Sequence, residues 1–242
     1  MGELATWLGI NPGQRSNTAV VGAGGKTTTT FSLGAELHAF SDRTIVTTTT
    51  KMGRDQTGGL VVVGRDTVEI IRALDTYGTC LVMDQNKTSD RKIAGLSGEE
   101  VDELFIADPA IVTHIVAEAD GARKHTVKAP APHEPVIAST VTHVIAVIGA
   151  GALNRVIEDQ AHRPMRVGAA AGLNPYDRLS PLGASRLLSD AERGGRKSVP
   201  RGAWFGVLIN RVNDTQRAAA AELDGLLREL GVPCLQRPEW DR

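Results

Sequence analysis

The run Gly22-Ala23-Gly24-Gly25-Lys26-Thr27-Thr28 has the residue types and spacing best suited to chemistry. Glycines let main-chain N–H groups converge on an anion without clashes from Cβ atoms. A lysine beside them supplies a mobile cation for the outer phosphates of a nucleotide, and the hydroxyl of Thr27 could ligate Mg²⁺. A helix opening at Lys26 would add the positive end of its dipole. One feature departs from the full phosphate-loop pattern, which asks for glycine five residues before Gly25, where this chain has Val20. The turn is therefore compressed. Its plainer reading is a glycine-rich strand-to-helix turn without a ligand.

Other groups could complete a phosphoryl-transfer site. Thr47-Thr48-Thr49-Thr50-Lys51-Met52 closes a β-branched run, and its hydroxyls and Lys51 could face an outer phosphate or a substrate. Strand propensity alone also explains those threonines. Glu118 and Asp120 stand two apart at the end of an apolar run, so both could reach a cation, with Asp120 positioning the nucleophile. Asn210-Arg211-Val212-Asn213-Asp214 is similar to the Asn-Lys-x-Asp base reader of GTP-binding folds. Arg replaces Lys and Asn213 takes the Asp position, so ATP and GTP both stay open. A helix cap explains the same Asn and Asp residues.

Pro130, Pro132 and Pro135 stiffen the segment after Lys128. Lys128, His133 and Glu134 are expected to project from it toward an anionic substrate, with His162 and Arg163 completing the pocket. The basic stretch Arg193, Arg196, Lys197 and Arg201 reads first as a solvated loop and second as an anion or partner contact.

These groups need a scaffold that gathers strand ends. β-Branched or apolar runs at Thr18–Val21, Thr44–Thr48, Leu60–Val63, Cys80–Met83, Ile111–Ala117, Thr142–Ile148, Trp204–Ile209 and Val232–Leu235 read as strands. Lys26–Phe40, Thr67–Tyr77, Ser97–Phe105, Leu182–Glu192 and Thr215–Leu230 read as helices between them. The alternation predicts a three-layer αβα fold on a mostly parallel sheet, like that of phosphate-loop NTPases. One such domain over residues 1–242 is expected, interrupted by an irregular segment around 120–180 for substrate or partner. Aromatics are only 4% of the chain, so the core must be Val, Ile, Leu and Ala.

With 27 basic against 28 acidic residues the chain has no electrostatic footprint for nucleic acid or an anionic membrane. Cys80 and Cys234 form no metal or redox pair and read as buried thiols. No signal peptide is apparent at the N-terminus, and a soluble, cytoplasmic protein is expected.

Taken together, the landmarks resemble the YqeC family. They are Val20–Thr28, Thr47–Met52, Glu118-Ala119-Asp120-Gly121-Ala122, Lys128-Ala129-Pro130-Ala131-Pro132-His133-Glu134-Pro135, then His162-Arg163 and Asn210-Arg211-Val212. The proline-rich piece is the most distinctive. The resemblance implies an accessory protein for selenium-dependent molybdenum hydroxylases. It would perform a nucleotide-dependent step in preparing a selenium- or molybdenum-containing cofactor, with the hydroxylase or that cofactor as partner. An Mg²⁺-dependent ATPase or GTPase is the leading expectation. A small-molecule kinase or ATP-dependent ligase, and a non-catalytic carrier switched by nucleotide, are the alternatives. A dinucleotide oxidoreductase is disfavoured, because no acidic ribose reader follows the second strand.

Overall fold

Ala19 and Val21 pack into one apolar cluster and Val20 into another, so the first strand is buried on both faces. The computed structural model describes residues 2–41, 43–89 and 91–239. In chain order come α1 (Glu3–Leu8), β1 (Ser16–Gly22), α2 (Lys26–His38), β2 (Thr44–Thr48), β3 (Lys51–Gly53) and β4 (Val62–Val63). Then follow α3 (Thr67–Tyr77), β5 (Thr79–Val82), β6 (Asp84–Thr88), β7 (Lys92–Ala94), α4 (Gly98–Ile106), β8 (His114–Glu118), β9 (Val127–Lys128) and β10 (His143–Gly149). The rest is α5 (Ile157–Gln160), β11 (Ala161–His162), α6 (Pro164–Ala171), α7 (Pro181–Ser189), β12 (Trp204–Val212), α8 (Arg217–Glu229) and β13 (Cys234–Pro238).

Eight strands form one sheet in the order β13-β12-β10-β1-β8-β2-β5-β4. Every pairing in it is parallel. Parallel strands need covered faces. Leu4 and Leu8 of α1 and Leu33 and Leu37 of α2 cover Val20, Val116, Ile145 and Leu208 on one side. Residues of α3, α4, α6, α7 and α8 cover Ala19, Ile45, Ile115, Ala146 and Val207 on the other. The α/β architecture expected from the sequence is therefore observed, with helices on both faces of a parallel sheet.

β1 lies between β8 and β10, while the chain leaves it through α2 for β2 on the far side of β8. Strand order reverses here, and such a point opens a crevice at the carboxyl ends of the strands. In register, Val20 faces Glu118, Gly22 faces Val147, Thr48 faces Glu118 and Gly149 faces Asn210. The candidate residues thus meet at one edge of the sheet.

Several local expectations need correction. The strand expected from Ile111 begins at His114, because Ile111 donates its N–H to Asp108 O in a turn. Residues 158–180, expected to be irregular, hold β11 and α6; Pro164 opens that helix where its missing N–H costs nothing. An antiparallel sheet β3-β7-β6 follows β2 and was not expected from its short polar strands. Burial pushes the thiols of Cys80 and Cys234 up to about 12. Among the described residues no helix is long and apolar enough to cross a membrane.

Candidate functional site

The glycine turn joins β1 to α2. Gly24 and Gly25 hold φ of 84° and 131°, in the left-handed region that side chains avoid. Space also demands glycine. A Cβ on Gly24 would lie 2.2 Å from Gly149 N, and one on Gly25 would lie 2.0 Å from Asn210 Nδ2. Three bonds fix the back of the turn. Ala23 N donates to Val147 O (2.9 Å), Gly24 N donates to His125 O (3.1 Å), and Asn210 Nδ2 donates to Gly24 O (3.2 Å). At the front, no side chain caps the N-terminus of α2, whereas Asp66, Ser97 and Ser180 cap α3, α4 and α7. The first amides of a helix have no partner within it.

Lys26 opens α2 and is 4% exposed. Its Nζ lies 3.5 Å from Glu118 Oε1 and 3.4 Å from Asp120 Oδ1. Thr27 Oγ1 donates to Glu118 Oε2 at 2.7 Å, and Gly22 N donates to Asp120 Oδ2 at 3.1 Å. Glu118 and Asp120, expected to reach a common metal cation, here both reach the Lys26 ammonium. From Asp120 the network continues. Lys128 Nζ stands 3.0 Å from Asp120 Oδ2 and 2.8 Å from Glu134 Oε2, and donates to Gly121 O at 2.8 Å. Arg163 grips Glu134 as a fork, at 2.8 and 3.1 Å. Three cations thus alternate with three carboxylates, and their charges cancel. Burial works to raise the Glu134 pKa, but the hydrogen bonds from Arg163 and Lys128 outweigh it and lower it to about 2.

Lys128 and Glu134, expected to project toward an anionic substrate, are the middle of this network. His133 is exposed. The proline loop is pinned from outside by Lys197, whose ammonium donates to Ala131 O (2.6 Å), Pro132 O (2.9 Å) and Glu134 O (2.7 Å). Lys197 therefore leaves the solvated loop in which its neighbours Arg193 and Arg201 remain. His162 stacks on His125, with centroids 5.9 Å apart and planes 9° apart.

Thr48 Oγ1 donates to Glu118 O (2.8 Å) and lies 3.2 Å from Thr50 Oγ1, so these hydroxyls brace the carboxylate strand. Thr28 and Lys51 are exposed. Asn210 sits under the glycine turn. Asn213 accepts from Thr215 N (3.0 Å) and Thr215 Oγ1 (2.8 Å) and donates to Glu239 (2.9 Å). Asp214 pairs with Arg217 at 2.6 Å. Those contacts hold the turn before α8, and none of them reaches the glycine turn. Sequence reasoning left Lys197 in a basic loop without its clamping role and missed the basic triplet Arg123-Lys124-His125. Only the position of the triplet, just after Asp120, hinted at it.

The family model for YqeC, described as YqeC protein, matches residues 18–165. This chain belongs to the YqeC family. A YqeC relative from Escherichia coli (strain K12), titled "Uncharacterized protein YqeC", is 34% identical over 206 residues, covering 84% of this chain and 78% of the relative. No solved structure matches. The YqeC match includes the glycine turn, both carboxylates, the proline loop and Arg163, and ends before Asn210.

The donor set of this YqeC-family chain suits a hard cation that arrives with phosphate. Thr27 Oγ1, Glu118 and Asp120 are oxygen donors in contact with one another or with Lys26, and Asp120 Oδ1 is buried without a hydrogen bond. Among the described residues no group of three or more His, Cys, Asp or Glu side chains could hold a metal. Magnesium here would need phosphate oxygens beside the protein's own, which is its usual habit.

Proposed function

We propose that the chain binds a nucleoside triphosphate with Mg²⁺ on the Gly22–Thr28 turn and cleaves or transfers its terminal phosphoryl group. The observation that carries this is the placing of Lys26 and Thr27 on Glu118 and Asp120 at an uncapped helix start. In this reading the turn's amides and Lys26 hold the β- and γ-phosphates. Thr27, with Glu118 or Asp120, would hold Mg²⁺, which neutralises phosphate charge. Asp120 orients the nucleophile. Phosphoryl transfer needs little beyond positioning and charge stabilisation. We place this step in maturing a selenium-dependent molybdenum hydroxylase, the role that the resemblance read from the sequence implies. Asn210, with Asn213 and Asp214, remains the proposed base-side element, for ATP or GTP.

A second reading, a small-molecule kinase or ligase, draws on the proline loop. Glu134 and Lys128 tie that loop directly to Asp120, so an acceptor held there would sit beside the reacting group. A switched carrier would share the turn but show negligible turnover.

Thermal shifts with ATP, GTP, CTP and their diphosphates, with and without Mg²⁺, test the proposal. A ligand that binds only the folded chain must raise its stability. At least one triphosphate should stabilise the wild type, and Lys26→Ala should weaken that binding at least tenfold. Thr27→Ala, which leaves every charge in place, should lose mainly the Mg²⁺-dependent part. Stabilisation by no nucleotide, or Lys26→Ala binding like the wild type, would sink the reading.

A further inference from the structure

Two of the cations that the sequence offered to a substrate are already spoken for. Lys128 is bound by Asp120 and Glu134, and Arg163 by Glu134. The loop between Asp120 and β9 presents two others. Arg123 and Lys124 are exposed, and among the described residues neither has a hydrogen-bond or ion-pair partner. Both hold left-handed backbone, at φ 47° and 65°. A non-glycine residue in that region costs about 1–2 kcal/mol, so surrounding bonds must hold it there. Such bonds are present. His125 O accepts from Gly24 N (3.1 Å), and Thr126 N and Oγ1 donate to Gln160 O (3.2 Å) and Gln160 Oε1 (3.0 Å). Thr126 O accepts from Gly149 N (2.8 Å), and β9 pairs with β11.

That pinning places the Arg123–His125 tip on the glycine turn and against His162. The His125 imidazole stacks on His162 and enters no described hydrogen bond, so its ring N–H is available as a donor. Burial first, and then the charges of Arg163 and Lys128, hold the His162 pKa below its usual value. One loop thus carries two uncompensated cations immediately before His125, whose ring stacks on His162, next to a network whose own charges cancel; His162 Nδ1 lies 3.5 Å from Arg163 Nη1, which leaves its Nε2 as the other ring nitrogen. Phosphate is the ligand class that rewards several charged donors on one group.

We infer that Arg123, Lys124, His125 and His162 form a second oxyanion subsite beside the glycine turn, which takes the phosphate or phosphate-like group of an acidic second substrate. The inference rests on the nucleotide reading for what lies next door, while the subsite itself can be probed without nucleotide.

The probe is inorganic phosphate, titrated into the full chain while ¹H–¹³C signals of the histidine rings are followed. The six histidines serve as mutual controls. Signals of His125 and His162 should move saturably, and those of His38, His114 and His143 should stay. Arg123→Gln/Lys124→Gln, which removes both charges and keeps polar side chains, should weaken the response at least tenfold. Arg123→Lys should retain most of it. The titration is repeated under saturating Mg²⁺ and a non-hydrolysable ATP analogue. A response that persists assigns the subsite to a second substrate. A response that the analogue abolishes assigns it to the nucleotide's own terminal phosphate and overturns the inference. Silent His125 and His162 signals, or an unchanged response in the double variant, also overturn it. Failure of the nucleotide reading would look different: no nucleotide stabilises the chain, yet phosphate still moves the two rings.

Discussion

Lys26 is a buried cation shared by two carboxylates, and its setting dictates how the site must respond to a polyphosphate. The network around it is neutral. A triphosphate that enters beside Glu118 and Asp120 therefore finds no net positive charge in the network, and Mg²⁺ is what supplies it. Nucleotide affinity should fall at least tenfold when Mg²⁺ is chelated, as read by calorimetric titration with and without EDTA. Equal affinity in both would place the phosphates away from these carboxylates. Asp120 gives a second test at this scale. It meets Lys26, Lys128 and the Gly22 amide, and is 2% exposed. Removing one partner of a buried pair leaves unpaired charge and costs about 3–5 kcal/mol. Asp120→Ala should lose stability of that order in urea unfolding. Asp120→Asn keeps the hydrogen-bonding shape, so it should lose less stability while turnover disappears. If Asp120→Asn turns over normally, the role of Asp120 as nucleophile-positioning group is wrong.

At the scale of elements, the proline loop is held by a residue from a different part of the chain. Lys197 lies 66 residues from Ala131 in sequence, yet its three carbonyl bonds fix the backbone that aims Glu134 at Lys128 and Arg163. Lys197→Met keeps the side chain's bulk and drops those bonds. Hydrogen exchange over residues 129–136 should then quicken at least tenfold, with the sheet amides of β1 and β8 unaffected. Unchanged exchange there would mean that the prolines suffice. This clamp also shows what sequence could and could not reveal. The glycine turn, the β-branched strands and Glu118 with Asp120 were legible because their chemistry is local: period, glycine spacing and a strand end. Lys197, the neutralising of Lys128, and Asn210 as a support under Gly24 depend on long-range contacts that carry no periodic signal. The helix α1 was hidden for a related reason. Its six residues bury Leu4, Ala5 and Leu8 only because α2 and the sheet lie beneath them.

For the whole molecule, stability should fall in two stages as pH drops, and the groups responsible lie at opposite ends of the sheet strands. His114 begins β8, is fully buried, and meets Ser16 Oγ through Nδ1 at 2.8 Å, while its Nε2 has no hydrogen bond. Burial, and then the charge of Arg15, lower its pKa from 6.5 to about 4. The unfolded chain therefore binds a proton between pH 6.5 and 4 that the folded chain refuses, and folding weakens as pH falls through that window. His143, lowered chiefly by burial despite a ring N–H bond donated to the Leu8 backbone that raises it, acts in the same direction. The second stage belongs to Glu134. Ionised, it favours the fold through Arg163 and Lys128; that contribution is complete above pH 4.5 and is lost as pH falls toward 2. Urea midpoints measured from pH 7 to pH 3 should decline first with a slope of about one proton for His114, and then continue to fall below pH 4.5 as Glu134 takes up its proton. His114→Gln should flatten the upper stage and leave the lower one. Glu134→Gln should do the reverse, at lower stability throughout, because it leaves Lys128 and Arg163 short of a counter-charge. A decline confined to the range below pH 4, with His114 ring signals titrating normally in the folded chain, would show that this imidazole is not shut away at the start of β8.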